Sequence, residues 1–202
     1  MGKFWMAVAV GLAVLAGVAQ AASPVNFSHP AYVQVAEATS IPVGHANFCM
    51  ANPQECMPTP YVEAVALSEG RWSELVAVNA AVNAAVAPVS DFDLYQVEEY
   101  WAYPHGYGDC EDYVLAKRKD LITMGWPASA LLITVVRQAN GEGHAVLTVR
   151  TDRGDLVLDN QDSLIKVWQD TPYHYIKRQS QTDAGRWVSL VDNRPQIVLA
   201  AR

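Results

Sequence analysis

Residues 108–112, Gly108-Asp109-Cys110-Glu111-Asp112, set one cysteine inside a fence of three carboxylates. A thiol attacks a carbonyl carbon as the thiolate, so its surroundings matter more than its presence. An amphipathic helix begins here and puts Cys110 at its first helical position. Helix N-termini favour a thiolate, whereas three neighbouring carboxylates disfavour one. A bound cation removes that conflict, and three hard oxygen donors within four residues suit Ca2+. The same acids also read as caps. Asp109 is a good N-cap residue, Asp112 three positions on gives an Asp form of the capping box, and Glu111 suits the first turn. The two readings are compatible. Asp109, Glu111 and Asp112 are the candidate metal ligands and Cys110 the candidate nucleophile.

A thiol nucleophile needs a base and a group to orient that base. His144 opens one β-rich segment and Asp159 ends the next. If Arg150 pairs with Asp155, His144 falls opposite Gln161, one diagonal step from Asp159 on the same face. A slip of one residue sends the two to opposite faces, and the turn chemistry does not fix the register. For a lone histidine at a strand start, a surface or core role is the simpler account. A free thiol, a histidine and an aspartate in that order, each at an element's end, point instead to a Cys110–His144–Asp159 triad.

These residues need a helix and a sheet to hold them. Val114 and Leu121 lie within about 40° of Cys110 on a helical wheel, so the thiol starts on the core-facing side. Residues 131–138, 144–150 and 155–160 are β-rich and separated by turn sequences, an antiparallel meander packed on the helix. Upstream, residues 60–88 read as helix with a break at Gly70. Trp72, Leu75, Val78, Val82 and Val86 recur at helical spacing, and Pro88 ends the run. Asn79 and Asn83 share a face; solvated positions are the simpler account, bracing a loop the alternative. Residues 90–108 read as a long connecting loop, which in a compact domain is often functional. Trp101, Tyr107 and Trp126 could line a cleft, although such rings more often bury. The fold class is α+β.

The chain has 202 residues and a net charge of -7, which fits one domain and argues against a nucleic-acid partner. Lys3, the apolar run 4–18 and the small-x-small site Ala19-Gln20-Ala21 read as a signal peptide over residues 1–21, leaving a single domain over 22–202. The apolar run is short for a membrane anchor, and no later segment is apolar enough to span. The mature protein is then expected to be exported and not membrane-spanning. In an oxidising compartment Cys49 and Cys56 are the natural pair, leaving Cys110 odd. Zinc is a weak reading of that spacing.

The blocks 108–125, 143–160 and 172–180, with 48–56, 71–83 and 101–104, resemble the bacterial transglutaminase-like cysteine proteinases. The resemblance spans most of the mature chain. It implies a papain-like, transglutaminase-like fold with the nucleophile helix packed on an antiparallel β-sheet, with Cys110 as nucleophile, His144 as base and Asp159 as third member. It also implies Ca2+ binding by Asp109, Glu111 and Asp112, and a periplasmic endopeptidase acting on a protein substrate. In some members that substrate is a large outer-membrane adhesin involved in biofilm attachment, and an inner-membrane cyclic-di-GMP receptor holds the enzyme. Two rival classes stand beside this one: another thiol acyl-transfer enzyme (transglutaminase, amidase or esterase), and a calcium-dependent binding module with a dead site.

Overall fold

The computed structural model describes residues 31–195; the expected signal peptide lies outside them. Strand β1 (Gln34–Thr39) leads to α1 (Val43–Ala51) and then to α2 (Glu69–Ala85). Short β2 (Ala87–Pro88), α3 (Asp91–Tyr95) and β3 (Tyr107–Gly108) precede α4 (Cys110–Thr123), which begins at the candidate nucleophile. Six strands follow: β4 (Leu131–Arg137), β5 (Gly143–Thr151), β6 (Gly154–Leu158), β7 (Lys166–Val167), β8 (His174–Gln179) and β9 (Trp187–Val191). Seven of the strands form one sheet in the order β1-β9-β8-β4-β5-β6-β7, every pairing antiparallel. Helix α4 packs on β4 and β5, and α2 packs on α4. The result is the expected α+β layering.

The central meander stands where the sequence placed it. Arg150 pairs with Asp155 and Leu147 with Leu158. Extended by three steps, that register sets His144 opposite Gln161. Strand β5 is buried along nearly its whole length, as expected of a strand covered on both faces. Gly154 makes the β5–β6 turn possible. Its φ is +112°, and a Cβ there would come within 2.6 Å of the Ala31 carbonyl oxygen.

Helix α2 differs from expectation at its start. Residues 60–67 are not helical; Val65 bridges Thr151 at the sheet. The helix begins after Ser68, whose hydroxyl accepts the Arg71 amide at 3.2 Å, and it runs unbroken through Gly70. A serine cap outweighed the apolar pattern before it. Trp101 and Trp126 are buried and Tyr107 is exposed. Trp101 meets the rings of His45 and Trp187, and Trp126 donates to Glu74, so both rings serve the core. Cys49 and Cys56 form a disulfide with Cα atoms 5.6 Å apart, stabilising by roughly 2–3 kcal/mol in the chain-entropy model. Among the described residues no helix is long and apolar enough to cross a membrane.

Candidate active site

Strand β5 brings His144 in at its second residue, 4% exposed. Strand β6 ends one residue before Asp159, 3% exposed. His144 Nε2 lies 2.9 Å from Asp159 Oδ1, which also accepts the Gln161 amide at 3.0 Å. Tyr173 donates its hydroxyl to Asp159 Oδ2 at 2.5 Å. Burial pushes the Asp159 carboxyl up, but the bonds from His144, Tyr173 and Gln161 outweigh it and hold it below the usual range. An ionised Asp159 on Nε2 leaves Nδ1 as the nitrogen free to act as base. Gln161 Nε2 is 3.5 Å from that atom.

Asn83 completes this side by donating to the Asp159 backbone carbonyl at 2.8 Å, and Asn79 donates to the Ser163 carbonyl at 3.3 Å. Both asparagines brace the loop after β6, and the solvated reading of them is corrected. Asn79 is 1% exposed. The four-residue spacing of two amides on an otherwise apolar helix face was the available signal.

Cys110 begins α4 as expected and is the free cysteine among the described residues. The Ala145 backbone amide, next to His144, faces the Cys110 sulfur and favours its thiolate. Helix mouth and histidine strand therefore meet. Burial, and next the Glu111 carboxylate, nevertheless drive the thiol pKa well up. The thiol donates to Glu111 Oε2 at 3.2 Å.

The acids do not cap as the sequence suggested. Asp109 makes no side-chain cap bond; its Oδ2 accepts the Asp91 amide at 3.2 Å. Asp112 faces the Asp109 amide only at longer range and accepts the Ala102 amide at 2.8 Å. Both carboxylates thus fasten the 91–102 loop, which competes for them more effectively than the helix end. Gly108 makes room for this: a Cβ there would lie 2.5 Å from Asp112 Oδ2.

The same loop brings in Asp91, an acid that sequence reasoning missed. Asp91, Asp109 and Glu111 each place a carboxylate oxygen within 4.8 Å of the others. Oxygens sharing a Ca2+ at 2.3–2.6 Å fall within that span. Asp112 lies outside this trio but beside it. Asp91 Oδ1, Asp109 Oδ1 and Asp112 Oδ2 are all buried without a partner. Burial, reinforced by Asp109, pushes Glu111 up to about 9. Burial also raises Asp112 to about 7, and it raises Asp91. A dense, dry, underbonded carboxylate group of this kind fits a hard divalent cation.

With fold and site in view, the class follows: a thiol at a helix mouth against a histidine-bearing antiparallel sheet. The family model of the bacterial transglutaminase-like cysteine proteinases matches residues 35–195. The chain belongs to that family and is a cysteine peptidase, so its substrate is a protein. It is similar to solved structures of Legionella pneumophila LapG. The calcium-bound form shares 24% identity, with 64% of this chain and 75% of that chain covered and a TM-score of 0.52. The EGTA-treated form shares 24% identity, covering 61% and 69%, with a TM-score of 0.50. These likenesses speak to the fold. No curated protein sequence matches significantly.

Proposed function

We infer that the chain is a periplasmic, calcium-dependent cysteine endopeptidase working through Cys110, His144 and Asp159. The observation that carries this is a bonded His144–Asp159 couple on the sheet against which the helix that begins at Cys110 packs. His144 Nδ1 takes the thiol proton and the sulfur attacks the scissile carbonyl, forming a carbon–sulfur bond. The imidazolium then gives its proton to the leaving amine. Water, deprotonated by the same nitrogen, hydrolyses the thioester. Asp159 keeps Nε2 protonated and stabilises the imidazolium. A cavity of about 430 Å³, lined by Asp159, Gln161, Leu164, Lys166 and Tyr173, gives substrate side chains a place on the Asp159 side of this couple.

Ca2+ at Asp91, Asp109 and Glu111, with Asp112 beside them, would supply the positive charge that makes this acid group compatible with a thiolate. A solved calcium-bound form of the similar Legionella pneumophila LapG supports that assignment. The resemblance supports export and a large outer-membrane adhesin as substrate, with an inner-membrane cyclic-di-GMP receptor as the holding partner. The test is incubation with outer-surface proteins of the producing cell, with and without EGTA, followed by N-terminal mapping of fragments. Cleavage of one large surface protein that EGTA stops and Ca2+ restores is the expected result. Turnover of glutamine peptides with added amines or of aryl esters, with no proteolysis, would give the site to another acyl-transfer reaction.

A further inference from the structure

Two arginines line a second cavity, and one of them is unengaged. This cavity, about 370 Å³, shares Gln138, Asn140, Thr171 and Tyr173 with the cavity at Asp159, so the two adjoin across the β4–β5 turn and the 171–173 segment. Tyr173 links them directly: its carbonyl accepts from Arg194 and its hydroxyl donates to Asp159.

Arg194 serves the fold. It donates to both oxygens of Asp192 and to the carbonyls of Trp168, Gln169, Thr171 and Tyr173. Asp192, the acid in the lining, is neutralised by that pairing, and His174 Nδ1 lies 3.6 Å from it. Arg137 differs. It ends β4, is exposed and lines the cavity. Among the described residues its side chain makes no hydrogen bond and no ion pair, and the side-chain amides of Gln138 and Gln169 in the same lining make no hydrogen bond. Glu142, on the adjoining turn, accepts from Asn140 instead. A terminal charge often protects a sheet edge, but β4 lies inside the sheet between β8 and β5. On a chain of net charge -7 the lining is nonetheless positive, two arginines against one aspartate.

The register sets Arg137 close to the base. It pairs with Gly143, which precedes His144, so about 5 Å of strand spacing and one residue separate the two backbones. An extended peptide advances about 3.3 Å per residue. A side chain a few places from a bond cut at Cys110 and His144 therefore comes within reach of Arg137.

We propose that Arg137 is a specificity-determining residue whose guanidinium, with the Gln138 and Gln169 amides, receives the carboxylate of an aspartate or glutamate a few residues from the scissile bond of the protein substrate. A guanidinium offers a planar fork that matches a carboxylate with two parallel bonds. The proposal rests on the triad reading, which locates the scissile bond.

The test uses peptide mixtures in which one position at a time is Asp, Ala or Lys, with Ca2+ present and cleavage sites read by mass spectrometry. Wild type should favour an acid at one position by about tenfold or more in kcat/KM. The difference should lie mainly in KM, because a remote carboxylate is held alike in the ground and transition states. Arg137→Ala should flatten that position, and Arg137→Glu should turn the preference toward Lys. Arg153→Glu makes the same charge change on the β5–β6 turn and should keep the acidic preference, which separates a contact from the general field. Cleavage by wild type that ignores charge at every position would overturn the inference and leave the triad reading standing. So would a preference that Arg137→Glu retains, or one that Arg153→Glu loses equally.

Discussion

The two sides of the site are built on opposite terms. On the strand side every oxygen of Asp159 is used: Oδ1 by His144 and Gln161, Oδ2 by Tyr173, and the backbone carbonyl by Asn83. On the helix side Asp91, Asp109 and Asp112 each keep a buried oxygen without a partner, and burial drives the Glu111 and Asp112 carboxyls upward. The chain itself completes the strand side. The helix mouth leaves its acids with unpartnered oxygens and raised pKa values, which the proposed Ca2+ would relieve. On the proposed mechanism the base, His144, is preorganised, while the thiol of Cys110 donates to Glu111 until something competes for that carboxylate.

The largest expected effect breaks both sides at once. Cys110→Ala removes the nucleophile and should abolish cleavage with the fold intact by circular dichroism; retained cleavage would remove Cys110 from the mechanism. Asp159→Asn tests the strand side. It should cost about 10²–10⁴ in kcat, because the amide supports the wrong imidazole tautomer. A loss equal to that of Cys110→Ala would mean that Asp159 does more than orient.

Calcium removal separates the sides. EGTA should inhibit and Ca2+ restore activity, with Mg2+ a poor substitute because it demands a tighter octahedral shell. Calorimetry on Asp91→Ala and Asp112→Ala sharpens the ligand set. Asp91→Ala should weaken binding as much as Glu111→Ala does, and a silent Asp91 would return the site to the three acids around Cys110. Full activity in EGTA, with no heat of Ca2+ binding, would leave those acids only the task of holding the 91–102 loop.

A smaller effect is written in pH. Without Ca2+, the folded chain holds protons on Asp112 up to about 7 and on Glu111 up to about 9. The unfolded chain releases them near their ordinary values of 3.8 and 4.5. Raised acids stabilise at low pH, and that stability is lost as pH rises to the folded value. Ca2+, binding the ionised acids, opposes the loss. The Tm gain from Ca2+ should therefore widen from pH 5 to 9. His45, which burial lowers to about 4, and Lys117, lowered to about 7, shift both forms alike and drop out of the difference. A gain that does not vary with pH would detach Ca2+ from these carboxylates.

The smallest effect lies at the brace. Asn83→Ala removes one bond to the Asp159 carbonyl and should cost about 1 kcal/mol of stability, with a several-fold loss in kcat. An unchanged kcat would show that the strand side holds Asp159 without α2.

Much of this was legible locally. The thiol at a helix start, the turn-bounded strands and the serial order of cysteine, histidine and aspartate are short-range patterns, and the Arg150–Asp155 pairing that they allowed is the one formed. The start of α2 was misjudged because the apolar spacing of residues 60–67 also suits an extended segment on a sheet. Strands β1, β8 and β9 went unread; β1 is almost wholly exposed and β8 and β9 are unevenly buried, so none shows a clean alternation.

The sequence by itself determined the α+β class, the position of Cys110 on its helix, and the facing of His144 and Asp159 once the hairpin register is granted. These depend on helix period, turn residues and strand alternation, which act over a few residues. Only the tertiary structure decided that Asp91 joins Asp109 and Glu111, that Asp112 serves the Ala102 amide, and that Asn79 and Asn83 brace the 159–163 loop. Those are meetings between segments many residues apart. They arise where packing of the helices and sheet leaves no water to satisfy a polar group, so that its partner must come from elsewhere in the chain.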